Sequence, residues 1–328
     1  MGQHHGVLLH GPAGWGEVAP FWDHGSEACA TWLASALESA LTGIADLPRR
    51  RTSIPVNVTI PEVDPVTARD LVARSGAGTA KVKIAGAGRR GDGADATSGL
   101  AADLQRLEAV REAIGPRGRI RVDVNGAWDL TTATTILPLI DKAAGGLEYA
   151  EQPCPGVDDL AALRRAVDVP IAADESIRLS ADPLAVARSD AADVAVLKVA
   201  PLGGARRAFA LAERLAMPVV VSSALDTSVG MSAGVALAAA LPGPAGACGL
   251  GTVSLLERDV AAPSLVPGGG TLAVRPVHVS RRLLAAVVAD DELTARWQVR
   301  LGHILNALRT RRERERDDPS SAVAGLPL

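Results

Sequence analysis

Aromatic residues are scarce in this chain of 328 residues, since five Trp, two Phe and one Tyr make up only 2% of it. We therefore do not expect a ligand to bind by stacking on rings, and apolar aliphatic walls are the alternative. Cysteine is also rare. Cys29, Cys154 and Cys248 are odd in number and form no CxxC pair, so they predict neither a disulfide framework nor a zinc site. They favour a reducing, cytoplasmic location.

Long apolar runs and a strong excess of one charge are missing as well. Every long apolar stretch is broken by charge, glycine or proline, so we predict no transmembrane span and no membrane partner. The apolar run at residues 7–9 is too short for a signal peptide. A formal charge of −3 creates no basic field for nucleic acid. Small molecules are the expected partners, and the oligomeric state is left open.

From residue 54 onward, short β-branched runs alternate with segments of helical periodicity, which is typical of parallel strands joined by crossover helices. Most of these runs are apolar throughout, as expected when helices cover one face and a packed barrel interior covers the other. The runs therefore predict an α/β protein with a single (β/α) barrel. The eight candidate strands are IPVNVTI from Ile54, TAKVKI from Thr79, IRVDVN from Ile120, LEYAEQ from Leu147, PIAADES from Pro170, VAVLKVA from Val194, PVVVSSA from Pro218 and ACGLG from Ala247.

The two chain ends do not follow this repeat. We predict that residues 1–53 form the N-terminal part of a small α+β cap domain and that the barrel occupies residues 54–262. Residues 263–308 are predicted to return to the cap. Residues 309–328 mix charges without an apolar stripe, so we predict a fraying helix end and then a disordered tail there.

Polar residues recur where the predicted strands end. In a (β/α) barrel the carboxyl ends of the strands meet at one face, where function concentrates. Charged residues inside apolar runs are costly to bury unless they pair or bind a metal. Because they recur on five successive strands, we predict one shared site. These residues are Lys81 and Lys83, Asp123 and Asn125, Glu148 and Glu151, Asp174 and Glu175, and Lys198.

Three of the acidic residues could hold a metal ion. Asp123, Glu151 and Asp174 would supply oxygen ligands from neighbouring strands, which is the hard set that Mg²⁺ prefers, with Mn²⁺ as the alternative metal. A ring of salt bridges with Lys83 and Lys198, without a metal, is the competing interpretation.

The motifs KVKI, RVDVNGAW, LEYAEQPC, IAADES, LKVAPLGG and SSALDTSVG follow one another between Lys81 and Gly230. With them the chain resembles the muconate-lactonizing branch of the enolase superfamily and, within it, the o-succinylbenzoate synthases. The likeness extends more loosely from GPAGWGE at Gly11 to GLGT at Gly249. It implies an enolase-type barrel with a cap and a metal-dependent lyase that carries out a syn dehydration.

The resemblance also implies roles for individual residues. Lys83 would be the acid/base that removes the proton next to a carboxylate, and Lys198 would stabilise the intermediate from the opposite face. Asp123, Glu151 and Asp174 would be the metal ligands. The supporting residues around them would be Glu148, Glu175 and Asn125.

Substrate contacts are expected from Lys81 and Asn125 and from the ends of strands seven and eight. Ser222 and Ser223 precede a helix predicted near Asp226, whose terminal N–H groups could bind a second carboxylate. Gly249 would let the backbone approach the substrate closely. Ser222 and Ser223 could equally be helix-entry residues.

The same motifs also serve cycloisomerases, N-succinylamino acid racemases and dipeptide epimerases. Strand eight, ACGLGT, lacks the DxD motif of the epimerases, which argues against dipeptides. A barrel that binds a ligand without turnover is the alternative from a different class. It stays open because only ten residues precede GPAGWGE, where relatives carry a longer substrate-covering stretch.

Residues 86–91, GAGRRG, match a dinucleotide fingerprint. They are followed by more loop instead of a helix, so we predict a mobile loop beside Lys83 and no nucleotide site.

Overall fold

The computed structural model of the protein describes residues 3–85, 99–243 and 246–317. The chain begins with a hairpin of β1 (Val7–Gly11) and β2 (Gly14–Val18), which leads into helix α1 (Ser26–Leu37) and one π-helical turn (Glu38–Thr42). A β-carbon added at Gly16 would lie 2.0 Å from the Ala36 carbonyl oxygen. Glycine is therefore required for β2 to lie this close to α1.

A parallel sheet of seven strands follows, in which each strand pairs with its neighbours in chain order. Cys248 forms an isolated bridge with Val56, and Gly249 forms one with Ser222. These bridges connect the two edges of the sheet, so the eighth segment closes the barrel by isolated pairing. The predicted α/β barrel is confirmed. The seven strands are β4 (Val58–Ile60), β5 (Thr79–Lys83), β6 (Arg119–Asp123), β7 (Tyr149–Glu151), β8 (Ile171–Ala173), β9 (Val194–Lys198) and β10 (Val219–Ser222).

Helices connect these strands and cover the sheet. Asp64 caps α2 by accepting hydrogen bonds from the backbone N–H groups of Val66 and Thr67, and Gly76 ends that helix in the left-handed region, at φ 63°. The helices are α2 (Pro65–Ser75), α3 (Leu100–Ile114), α4 (Leu130–Ala144), α5 (Val157–Ala166), α6 (Glu175–Arg178), α7 (Ala185–Arg188), α8 (Val199–Leu202), α9 (Ala205–Leu215) and α10 (Ser228–Ala240).

The first predicted strand, IPVNVTI, is divided between two sheets. Its start forms β3 (Ser53–Pro55), which pairs antiparallel with β11 (Thr271–Ala273), and only β4 belongs to the barrel. The run is interrupted between Pro55 and Val58, where Val56 forms only the isolated bridge to Cys248.

The C-terminal part continues through α11 (Arg281–Ala285) to the long helix α12 (Asp291–Asp317). Ile304 and Leu308 of α12 share an apolar cluster with Trp32 of α1, so both ends of the chain meet there. Residues 309–317, where we predict a fraying helix end and then a disordered tail, continue α12 as helix. An ion pair of Glu315 with Arg207, at 3.6 Å, holds this last part of α12 against α9.

Two other predictions fall on residues outside the described ranges: the loop at 86–91 and the tail at 318–328. Of the helices described, none is both long and apolar enough to cross a membrane.

Candidate active site

The predicted catalytic and metal-binding residues lie together at the carboxyl ends of five consecutive strands. Lys83, the last residue of β5, lies opposite Asp123 at the end of β6. Asp123 in turn lies opposite Glu151 at the end of β7. Asp174 directly follows β8, and Lys198 is the last residue of β9. The strand order thus places three carboxylates between two lysines.

Each of these carboxylates is paired with a lysine. Lys83 Nζ donates to Asp123 Oδ2 at 2.5 Å. Lys81 Nζ lies 2.9 Å from the same oxygen and 2.6 Å from Glu151 Oε1. On the other side, Lys198 Nζ donates to Asp174 Oδ2 at 2.6 Å. Lys83 and Lys198 therefore contact the carboxylates at the two ends of this row.

Asp123, Glu151 and Asp174 are fully buried, with no exposed surface. Burial alone would raise the pKa of Asp123, but the charges of Lys81, Lys83 and Lys198 outweigh it and lower that pKa. Glu151 differs, because burial and the charge of Asp123 raise its pKa to about 7. The difference follows from Lys83, whose ammonium pairs with Asp123 and lowers its pKa, whereas the charges of Asp123 and Asp174 raise the pKa of Glu151.

The donor atoms of this site suit a divalent metal ion. Glu151 Oε2 is buried and has no hydrogen-bond partner, and such an atom normally finds one. Three carboxylates on adjacent strands also match the oxygen set of a hard cation. Over the described ranges, no group of three His, Cys, Asp or Glu side chains is already arranged around a common point. The residues fit the ion in the kind of donor atom and in their place on adjacent strands, and lysine ammonium groups pair with them.

Asn125, Glu175 and one arginine surround this centre. Asn125 accepts a hydrogen bond from Lys83 Nζ at 2.8 Å and donates to Glu175 Oε1 at 3.1 Å. Arg178 donates to Asp174 Oδ1 at 2.9 Å and to Glu175 Oε1 at 2.7 Å. We did not predict Arg178 from the sequence. Arg178 follows Asp174 by four residues, and this spacing predicts an ion pair only once that segment is known to be helical.

Gln152 is a second residue that the sequence analysis missed. Its side chain is completely buried, and Oε1 accepts hydrogen bonds from the backbone N–H groups of Asp174 and Ser176. Its own backbone lies in the left-handed region, at φ 44°. Gln152 thus holds the backbone that carries Asp174. Its position directly after Glu151 in the EQP motif was the available signal.

Glu148 does not belong to the site. It precedes β7 and forms ion pairs with Arg121, at 2.5 Å, and with Arg119, at 2.8 Å. Arg119 begins β6, so Glu148 lies at the amino ends of the strands, opposite to the end that carries Glu151. The predicted supporting role was therefore wrong, since residues at the two ends of one strand face opposite ends of the barrel.

Two families of domain match the chain in sequence: the enolase C-terminal domain-like family over residues 66–277 and the enolase N-terminal domain-like family over residues 2–40. An o-succinylbenzoate synthase from Thermobifida fusca (strain YX) is 53% identical over 296 residues, which cover 90% of this chain and 88% of that protein. The o-succinylbenzoate synthase from Mycobacterium tuberculosis (strain ATCC 25618 / H37Rv) is 48% identical, over 89% of this chain and 85% of that protein. This chain belongs to the o-succinylbenzoate synthase family of the enolase superfamily.

Solved structures support the same fold. The muconate cycloisomerase from Pseudomonas fluorescens superposes with a TM-score of 0.69 at 23% identity, and the match covers 86% of this chain and 92% of that one. The predicted family, barrel fold and lyase class are therefore confirmed. Enzymes of the enolase superfamily depend on a divalent metal ion, in agreement with the carboxylate group described above.

In this member of the synthase family, Ser222 and Ser223 do not present free hydroxyls. Both donate to the carbonyl oxygen of Gly249, at 3.4 and 3.0 Å, and Ser223 also pairs with Thr252 at 2.7 Å. A β-carbon at Gly249 would lie 2.4 Å from Ser222 Oγ. The contact that demands glycine at 249 is thus with β10, and substrate approach remains only a prediction.

The N–H groups at the N-terminus of α10, where we predicted an anion site, are bonded to carboxylates of the protein. The N–H groups of Thr227 and Gly230 donate to Glu17 of the cap, at 3.0 and 2.8 Å. The N–H of Ser228 donates to Asp259 at 3.0 Å. Carboxylates of the protein itself therefore occupy the positions that we expected a substrate carboxylate to take.

A cavity of about 570 Å³ adjoins the centre. Its wall includes Asn125 and Glu175 but neither Lys83 nor Lys198, so it lies beside the two lysines. Cys154 is buried close by. Burial raises the pKa of its thiol to about 12, which is consistent with a packing role and not with a nucleophile.

Proposed function

We propose that this chain is a magnesium-dependent o-succinylbenzoate synthase that converts 2-succinyl-6-hydroxy-2,4-cyclohexadiene-1-carboxylate to 2-succinylbenzoate and water. The observation that carries the proposal is the placement of Lys83 and Lys198 on opposite sides of three buried carboxylates. Relatives with this name are about half identical over most of the chain.

Lys83 is the residue best placed to move a proton. Its side chain is 32% exposed, compared with 11% for Lys198, so it is the more accessible of the two to a small molecule. In the proposed reaction its neutral amine takes the proton next to the substrate carboxylate. The resulting ammonium then protonates the hydroxyl that leaves, so one lysine serves as base and then as acid and the elimination is syn.

Lys198 keeps its proton in this scheme and stabilises the negative charge that develops on the substrate carboxylate. Asp123, Glu151 and Asp174 would hold the metal ion, which supplies Lewis-acid stabilisation to the same carboxylate when it is bound. Loss of the hydroxyl group and the proton as water makes the ring aromatic, which favours the forward direction.

The biological setting is proposed on the same basis. The product is an intermediate of menaquinone biosynthesis. Three buried, unpaired cysteines agree with a reducing cytoplasm. Of the predicted substrate contacts, Lys81 and Asn125 lie at the centre, whereas Ser222, Ser223 and Gly249 make the protein contacts described above.

A spectrophotometric assay with the cyclohexadiene substrate and Mg²⁺ tests the proposal. Wild type should turn over, and both Lys83→Ala and chelator-treated wild type should lose activity. If folded wild type with bound metal produces no 2-succinylbenzoate, the proposal fails.

Racemisation of N-succinylamino acids is the second candidate, because two lysines on opposite sides can each exchange a proton with one carbon. Exchange of the α-proton in D₂O, without dehydration, would favour it. Absence of both activities would favour the non-catalytic barrel.

A further inference from the structure

A continuous chain of side-chain hydrogen bonds connects Asp174 with Lys83. It runs from Asp174 to Arg178, from Arg178 to Glu175, from Glu175 to Asn125, and from Asn125 to Lys83, with each donor and acceptor between 2.7 and 3.1 Å apart. The chain therefore joins a proposed metal ligand on one side of the centre to the proposed base on the other.

Arg178 is the residue that makes this connection possible. Its guanidinium donates with Nε to Asp174 Oδ1 and with Nη2 to Glu175 Oε1. The planar guanidinium can bridge two carboxylates at fixed angles, whereas a lysine ammonium is a single flexible point charge. Only 14% of the Arg178 side chain is exposed, so solvent screens these ion pairs little.

The two carboxylate oxygens of Asp174 have different hydrogen-bond partners. Arg178 binds Oδ1, and Lys198 binds Oδ2. The backbone of the same segment is fixed separately by Gln152. Arg178, together with Lys198, therefore fixes how the carboxylate is rotated, because the backbone contacts of Gln152 leave that side-chain torsion free.

We infer that Arg178 is a positioning residue that orients Asp174 for metal binding and, through Glu175 and Asn125, orients Lys83 for proton removal. The inference rests on the proposed function, to which it adds a residue that touches neither the substrate nor the reacting atoms. Residues that orient metal ligands in this way commonly change metal affinity by about 10–100-fold when they are replaced.

The experiment compares Arg178→Lys with a matched control, Arg164→Lys. Arg164 also bridges two carboxylates, with Asp193 at 2.8 Å and Asp190 at 2.6 Å, but Asp193 immediately precedes β9 and so lies at the opposite end of the barrel from the centre. Both variants keep the positive charge and lose the planar fork. Affinity for Mg²⁺ is measured by calorimetry, and kcat and KM are measured separately.

We expect Arg178→Lys to weaken Mg²⁺ binding by about tenfold or more and to lower kcat more than it raises KM. Arg164→Lys should match wild type in all three quantities. Wild-type Mg²⁺ affinity and kcat in Arg178→Lys would overturn the inference.

A second variant keeps the test decisive if Arg178→Lys does not fold. Glu175→Gln leaves Arg178 in place but removes the charge that binds its Nη2, so Mg²⁺ affinity and kcat should fall in the same direction by a smaller factor. Unchanged values in a folded Glu175→Gln protein would refute the connection to Lys83. Wild type that binds Mg²⁺ but does not dehydrate the substrate would refute the proposed function alone, and Mg²⁺ affinity would still decide the role of Arg178.

Discussion

Glu17 provides a test of how the cap is attached to the barrel. Its carboxylate accepts hydrogen bonds from the N–H and hydroxyl groups of Thr227, at 3.0 and 2.5 Å, and from the N–H of Gly230, at 2.8 Å. Burial, followed by the nearby charge of Asp226, raises the pKa of Glu17 to about 7 from an ordinary value of 4.5. Burial also raises the pKa of Asp226, to about 6.

A raised pKa means that the folded protein binds the proton more tightly than the unfolded chain does. The contribution of Glu17 to stability is therefore fully present below pH 4.5 and is lost as the pH rises through about 7. A difference of about 2.5 pKa units corresponds to about 3 kcal/mol in total, most of it lost between about pH 5 and pH 7. The charge of Lys198 lowers the pKa of Asp226 and so favours its ionised form. This effect opposes the loss of stability at Asp226 and not at Glu17.

The assay measures the free energy of unfolding in urea at about pH 5 and about pH 8, with saturating Mg²⁺, for wild type and Glu17→Gln. Glutamine stays neutral at both pH values, so the stability of the variant should fall between them by about 2–3 kcal/mol less than that of wild type. The exposed Glu62→Gln is the matched control and should retain the wild-type pH dependence. Equal pH dependence in wild type and Glu17→Gln would show that Glu17 is already ionised at pH 5 and would refute the argument from burial.

Three further outcomes follow from the structure. Glu151→Gln should weaken Mg²⁺ binding at least about tenfold in calorimetry, because the carboxylate of a proposed ligand becomes a neutral amide. Unchanged affinity would exclude Glu151 as a ligand. Gly249→Ala should lower the free energy of unfolding by about 1–3 kcal/mol, because its β-carbon meets Ser222 Oγ, and Ser222→Ala should restore part of the loss; no rescue would mean that another contact is responsible. Leu107→Ala, in the fully buried core, should cost about 2–5 kcal/mol in urea unfolding and leave Mg²⁺ affinity unchanged; a loss of affinity would show that the core and the centre are coupled.

The central residues were predictable because their positions depend on local rules. Side chains alternate along a strand with a period of two, so Lys81 and Lys83 must share a face. Parallel strands in a barrel bring their carboxyl ends to one side, so Asp123, Glu151 and Lys198 had to meet once eight strands were recognised.

Other features depended on contacts between residues far apart in the chain. Glu17 occupies the N-terminus of α10 across more than two hundred residues, and no local pattern announces that pairing. The direction of Glu148 was misjudged because its strand starts only at Tyr149, and strand boundaries are poorly defined by sequence. Residues 309–317 continue the helix because long-range contacts hold α12 in place. Glu315 forms an ion pair with Arg207 on α9, and Ile304 and Leu308 pack against α1.

The sequence by itself therefore determined the barrel, the family and the five residues at the strand ends, because strand periodicity and motif order are properties of short segments. Only the tertiary structure decided which partner each buried polar group has. Arg178 pairs with Asp174, Gln152 binds the backbone of that segment, and Glu17 binds the N-terminus of α10. Such pairings are chosen by the free-energy cost of leaving a buried polar group unpaired, and that cost is defined only when the packed surroundings of the group are known.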